Sequence, residues 1–187
     1  EAGTFMLAAV ATKGDLLIKN CIPEHLDCLT AKILEMGANV EYNDDSIHVW
    51  TNKRPNKANI KTQPYPGFPT DLQPQIGVCL ALANGTSIIK EGIWESRFQY
   101  TAELNKMGAQ ITDQGKSAIF EGVKELYGAP VEATDLRAGA ALIIAGIVAK
   151  GETSITNLVH IDRGYENIEE KFRGIGANIQ RITEENF

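Results

Sequence analysis

The sequence predicts an α/β fold made of three repeated units, and three observations carry this. Met36-Gly37-Ala38-Asn39-Val40 recurs as Met107-Gly108-Ala109-Gln110-Ile111 and as Ile175-Gly176-Ala177-Asn178-Ile179, at steps of 71 and 68 residues. Upstream of each copy lies an apolar triplet spaced i, i+4, i+7: Leu29, Ile33, Met36; then Tyr100, Leu104, Met107; then Ile168, Phe172, Ile175. That spacing is the stripe of an amphipathic helix. Earlier in each unit, Gly3-Thr4-Phe5, Pro69-Thr70-Asp71 and Ala133-Thr134-Asp135 each precede a helix of small apolar residues.

Each unit therefore reads strand, buried helix, strand, amphipathic helix and two-stranded hairpin. The first helices run to Gly14, Gly85 and Gly151. Strands follow at Asp15 to Asn20, Thr86 to Glu91 and Thr153 to Asn157. The glycine of each recurring pentapeptide closes the amphipathic helix, because a left-handed C-terminal residue is cheap only without a Cβ. A strand is expected after each one. Two hairpins are complete: Ala38 to Tyr42 with Ser46 to Trp50, and Ala109 to Asp113 with Ser117 to Glu121. Asn43-Asp44-Asp45 and Gln114-Gly115-Lys116 suit tight turns. Pro64, Pro66 and Pro69 predict an extended loop over Gln63 to Pro69. The units, roughly 1–57, 58–122 and 123–187, make one α/β domain packed about a pseudo-threefold axis, with the first helices inside. The first unit starts at its helix and the third lacks a second hairpin strand. This predicts a piece of a longer polypeptide.

Composition excludes several classes. Charged residues are 22% and hydrophobic residues 43%, an ordinary globular balance. The longest apolar run, Ala138 to Ala149, is 12 residues, too short to span a bilayer. Net charge is −6 and the pI is near 5.1, which disfavours a nucleic-acid partner. Cys21, Cys28 and Cys79 show no metal-ligand spacing and read as reduced thiols of a cytoplasmic protein, with a Cys21–Cys28 bridge left open. His25, His48 and His160 do not cluster with acids or cysteines at ligand spacing.

Chemistry gathers at the helix starts. Equivalent helices of a repeat should aim their N-termini alike, and aligned N-termini attract anions. Taken alone, Asp71 and Asp135 read as N-caps worth ~1 kcal/mol each. Arg137 weighs against that reading, because a cation in a first helical turn is unfavourable unless an anion is also there. A second constellation is His160-Ile161-Asp162-Arg163-Gly164-Tyr165-Glu166, with Glu91-Gly92-Ile93-Trp94-Glu95-Ser96-Arg97-Phe98 as its counterpart. Both place an Arg just ahead of an amphipathic helix. From spacing alone, each Arg reads as one half of a surface ion pair worth ~0–1 kcal/mol.

Four strings together closely resemble the peptidoglycan enolpyruvyl transferase family, UDP-N-acetylglucosamine 1-carboxyvinyltransferase. They are Phe68-Pro69-Thr70-Asp71-Leu72-Gln73, Glu95-Ser96-Arg97-Phe98, Ala133-Thr134-Asp135-Leu136-Arg137-Ala138 and His160 to Glu166. The resemblance implies an inside-out α/β barrel of three strand-helix-strand-helix-strand-strand repeats, paired in the family with a second such domain. It implies transfer of enolpyruvyl from phosphoenolpyruvate to the 3-hydroxyl of UDP-N-acetylglucosamine, with no cofactor and no metal. It assigns Asp71 to the sugar hydroxyl, and Arg137 and Arg163 to the anionic ends of phosphoenolpyruvate. Arg97 is a weaker candidate of the same kind. Ile93 contacts the sugar nucleotide through its backbone, and Asp135 orients Arg137 and takes part in proton transfer. The family's proton-donating cysteine matches none of Cys21, Cys28 and Cys79. The chain is therefore expected to hold one wall of a site and to be inactive alone. The alternatives are the shikimate-pathway enolpyruvyl transferase and a non-catalytic module of the same fold.

Overall fold

The computed structural model describes residues 1–183. Its elements follow chain order: α1 (Ala2–Thr12), β1 (Asp15–Lys19), α2 (Asp27–Glu35), β2 (Asn39–Tyr42) and β3 (Ser46–Trp50), then β4 (Ile60–Lys61), α3 (Gln73–Ala81), β5 (Thr86–Lys90), α4 (Tyr100–Lys106), β6 (Gln110–Asp113) and β7 (Ser117–Glu121). The last set is β8 (Pro130–Glu132), α5 (Leu136–Val148), β9 (Ser154–Thr156), α6 (Val159–Asp162) and α7 (Ile168–Gly174). The repeat is thus visible element by element, and among the described residues only the middle unit shows all six parts. Its sheet runs β4-β5-β7-β6, with β4 parallel to β5 and the other pairs antiparallel. The first unit has β1-β3-β2 without the leading strand, and the third has the parallel pair β8-β9 without a hairpin.

The helices lie inside and the sheets outside. Every residue of α3 is buried, and α5 is buried from Ala138 to Ala145. These helices carry apolar side chains all round, so only the interior accommodates them. Each sheet shows its helices one face. Ser87 and Ile89 of β5 and Ala118 and Phe120 of β7 point inward with no exposure, while Thr86, Ile88 and Lys90 point out. This is the period of two expected of a sheet wet on one side. No closed barrel forms among the described residues; three separate sheets surround the helix trio.

The three first helices run parallel. Gln75 of α3 bonds Thr4 of α1 in their early turns, and Arg137 in the first turn of α5 meets Asp71 just ahead of α3. At the other end, Ala8 and Thr12 of α1 share a cavity of about 210 Å³ with Ile144 of α5 and Phe172 of α7. The glycines at the ends of the amphipathic helices behave as expected, with φ of +92° at Gly37, +96° at Gly108 and +105° at Gly176.

Several expectations are corrected. Ile175 does not face the core; it is 51% exposed, although it stands one residue past its helix like the buried Met36 and Met107, because no hairpin lies over the end of α7 among the described residues. Residues 177 to 183 form no strand, since no hairpin partner lies beside them among the described residues. The third unit's predicted boundary at 187 falls outside the described residues. The proline loop is closed rather than extended: Gln63 N–H donates to Phe68 O at 3.0 Å, Gly67 N–H donates to Pro64 O at 2.8 Å, and Tyr65-Pro66 is cis. All three cysteines are free, and burial pushes the Cys79 thiol up to about 12.

Candidate functional site

A buried polar knot ties the N-terminal ends of the helices together. Thr4 of α1 is fully buried; its hydroxyl takes a hydrogen bond from Gln75 Nε2 of α3 at 3.2 Å and shares one with Tyr165 at 2.8 Å. Tyr165 belongs to the His160–Glu166 string, so that string is anchored onto both helices. Two glycines let it approach α5 as well. A Cβ at Gly139 would stand 2.4 Å from Ile161 Cγ1, and one at Gly164 would stand 2.4 Å from Leu136 Cδ2. The segment carrying Arg163 therefore lies over the first turns of α5. Gly139→Ala is expected to cost about 1–2 kcal/mol, the overpacking penalty less the helix-propensity gain. An unchanged urea midpoint would show that Ile161 yields without cost.

Asp71 and Arg137 meet across the repeat. Arg137 Nε–H donates to Asp71 Oδ1 at 2.5 Å, joining the segment before α3 to the first turn of α5. This answers how a cation survives at a helix start: an anion stands beside it. It also corrects the cap reading for Asp71. Residues Thr70–Leu72 form a 3-10 turn, α3 begins only at Gln73, and no side chain caps it. Asp135 is a cap, with Oδ1 accepting from the N–H groups of Arg137 at 2.9 Å and Ala138 at 3.0 Å. Asp135 thus fixes the backbone of Arg137, while Asp71, not Asp135, orients its guanidinium.

Arg163 and Arg97 are not surface ion pairs among the described residues. Arg163 is exposed and makes no ion pair among the described residues. Its neighbour Asp162 is occupied by Arg181, whose Nη atoms donate to both carboxylate oxygens at 2.8 and 3.1 Å. Arg181 also donates to Glu169, and these two carboxylates push its already high pKa further up. Arg97 sits 5.3 Å over the Trp94 ring instead of pairing with an acid. Ile93 and Trp94 are the exposed tip of the same loop, at 37% and 57%.

Sequence reasoning missed the residue that holds this loop. Glu91, 6% exposed, follows β5 and makes no ion pair among the described residues. Its Oε2 accepts from Thr62 Oγ1 at 2.6 Å, Ile93 N–H at 3.0 Å and Trp94 N–H at 3.3 Å. Its Oε1 accepts from Thr70 Oγ1 at 2.8 Å and Gln73 Nε2 at 3.4 Å. Burial by itself raises the Glu91 pKa, but the Thr62 and Thr70 hydroxyls and the two backbone N–H groups outweigh it and leave the carboxyl below its ordinary value. Such a group supports the fold above the ordinary carboxylate range, and that support is lost as the pH falls through the lowered value. Tyr100, fully buried, donates to Gln73 Oε1 at 2.5 Å; its phenol is pushed up by burial and then by Glu91 and Asp113. The missed signal was the strand period: Ser87 and Ile89 point inward, so Glu91 does too.

Chemically, this end of the helices offers the Asp71 carboxylate paired with the Arg137 guanidinium, and Arg163 on the segment packed over α5. That set suits a small, multiply charged anion beside a hydroxyl-bearing partner.

Comparison with known proteins agrees with this fold. The family model described as EPSP synthase (3-phosphoshikimate 1-carboxyvinyltransferase) matches residues 1–172. A UDP-N-acetylglucosamine 1-carboxyvinyltransferase of Clostridium botulinum is 55% identical over 182 residues, covering 97% of this chain and 44% of the relative. One of Desulfofundulus thermocisternus is 52% identical over 181 residues, covering 97% of this chain and 74% of the relative. Against most such relatives the chain spans less than half their length, as the 44% shows. Among solved structures, the enolpyruvyl transferase NikO from Streptomyces tendae superposes with a TM-score of 0.87 at 26% identity, over 96% of this chain and 43% of that one. EPSP synthase from Acinetobacter baumannii shares the fold, with a TM-score of 0.75 at 18% identity over 96% and 46% of the two chains. The chain belongs to the EPSP synthase (3-phosphoshikimate 1-carboxyvinyltransferase) family, and within it to the UDP-N-acetylglucosamine 1-carboxyvinyltransferases.

Proposed function

We propose that the protein transfers the enolpyruvyl group of phosphoenolpyruvate to the 3-hydroxyl of UDP-N-acetylglucosamine, the step that commits the sugar to peptidoglycan. The 187 residues supply one wall of the site, and a second domain supplies the other, including the proton donor. The observation that carries the reading is the Asp71–Arg137 pair at the aligned helix starts, with the unpaired Arg163 on a segment packed over α5. The sugar oxygen adds to C2 of phosphoenolpyruvate while C3 gains a proton, giving a tetrahedral ketal. Loss of a C3 proton and cleavage of the C2–O bond then release phosphate and leave the enol ether. Asp71 accepts the hydroxyl proton. Arg137 and Arg163 hold the carboxylate and phosphate ends, in the forked geometry that Lys cannot copy. Arg97 adds a further cation beside the loop whose Ile93 backbone meets the sugar nucleotide. Asp135 sets the backbone of Arg137, and its Oδ2, free of hydrogen bonds among the described residues, serves proton transfer. No cofactor enters these steps. The free thiols suit the cytoplasm, and no helix of the described residues is long and apolar enough to cross a membrane.

The family description favours one rival acceptor, shikimate 3-phosphate. Titration of the complete protein with each acceptor separates the two. Binding of UDP-N-acetylglucosamine, with phosphate released from phosphoenolpyruvate only in its presence, is the expected result. Binding of shikimate 3-phosphate instead would transfer the reading to the rival, and binding without phosphate release would leave a non-catalytic module.

A further inference from the structure

We infer that Glu91 is a positioning residue for the acceptor side of the site, an inference that rests on the function proposed above. Its carboxylate joins three segments: Thr62 after β4, the Thr70–Gln73 start that bears Asp71, and the Gly92–Phe98 loop that bears Ile93 and Arg97. Thr62 strengthens the same joint from the other side, because its hydroxyl also accepts the Gly92 N–H at 2.7 Å. The loop has little else to hold it. Residues Gly92 to Ser96 are all exposed, and Ser96 stands at φ +56°. Its tether to the helix start consists of the Glu91 bonds and one long bond, 3.4 Å, from Gln73 Nε2 to the Arg97 carbonyl.

A buried carboxylate facing only neutral donors costs desolvation, and a simple packing residue would not need it. The donor count explains the choice. Only an acceptor-only group satisfies two backbone N–H groups, two hydroxyls and an amide at once. A Gln at this place offers one oxygen and one NH₂. If its oxygen faces Ile93 and Trp94, its NH₂ meets the Thr70 and Gln73 donors. The Thr70 hydroxyl can turn to accept, but its tie to the loop then depends on a weaker neutral bond. Glu91→Gln therefore keeps the shape and loosens the joint between the loop and the Asp71 segment.

The test uses the complete protein and two readouts. Hydrogen–deuterium exchange reads the joint directly: in Glu91→Gln, the amides of 92–98 should exchange at least tenfold faster, with α3 and α5 unchanged. Steady-state kinetics read its purpose: KM for UDP-N-acetylglucosamine should rise about tenfold, while KM for phosphoenolpyruvate stays within twofold. A general loss of folding would not produce that split. Thr62→Val removes the shortest donor and should show the same pattern more weakly; it carries both readouts if Glu91→Gln does not fold. Unchanged exchange overturns the inference, and so does faster exchange with both KM values unmoved or moved equally. If the unaltered protein fails to use UDP-N-acetylglucosamine, the proposed function falls and Glu91's acceptor-side role falls with it; if it uses the sugar nucleotide and the variants fail to show the two changes, the inference alone falls.

Discussion

Asp71→Asn in the complete protein is expected to cut turnover roughly 10²-fold or more, with both substrates saturating, while leaving stability nearly untouched. The two parts of that expectation come from different observations. Stability is spared because Asp71 caps nothing, and its side chain is 66% exposed where it meets Arg137. An ion pair that open to water contributes about 0–1 kcal/mol, a shift of at most a few degrees in Tm. Asn also keeps an oxygen that can accept the Arg137 Nε–H, so the guanidinium stays near its place. Turnover falls because the amide cannot take a proton from the sugar hydroxyl. A variant within a few-fold of the unaltered rate would reduce Asp71 to a tether for Arg137.

The repeat was readable because it rests on backbone chemistry that few residues satisfy. Gly37, Gly108 and Gly176 all take positive φ, and each follows a stripe whose spacing marks a helix. The third unit exposed the limit of that reasoning. Ile175 has the same spacing as Met36 and Met107, yet those are buried and it is half exposed, because burial needs a hairpin laid over the helix end. The site was readable as a set of residue types and unreadable as a set of partners. Asp71 and Arg137 are 66 positions apart, and nothing local says that one carboxylate will choose that guanidinium over its own helix start. Glu91 was hidden for the same reason: its donors come from Thr62, Thr70, Gln73 and its own loop. Spacing reads Arg163 as half of a surface ion pair, but Arg181, 18 residues on, takes the adjacent acid, Asp162.

Removing either arginine should weaken phosphoenolpyruvate chiefly, and the structure predicts that the two losses will differ in kind. Arg163→Ala removes a cation with no ion-pair partner among the described residues, so folding should not notice. The loss of one charge-assisted contact, about 1.5–3 kcal/mol, should appear as a rise of roughly 10- to 150-fold in KM for phosphoenolpyruvate. Arg163→Lys should recover only part of it, keeping the charge without the fork. Arg137→Ala should cost a similar amount in KM, plus a fall in kcat, because it also frees the Asp71 carboxylate from the atom that orients it. Residues in contact do not add. The double variant Asp71→Asn/Arg137→Ala should therefore be less impaired than the product of its two single effects, whereas Asp71→Asn/Arg163→Ala should come closer to that product. Steady-state kinetics on these variants, with UDP-N-acetylglucosamine saturating, decide it. An Arg163→Ala protein that handles phosphoenolpyruvate like the unaltered one would remove Arg163 from the site, and strict additivity between Asp71 and Arg137 would mean that their pairing has no part in turnover.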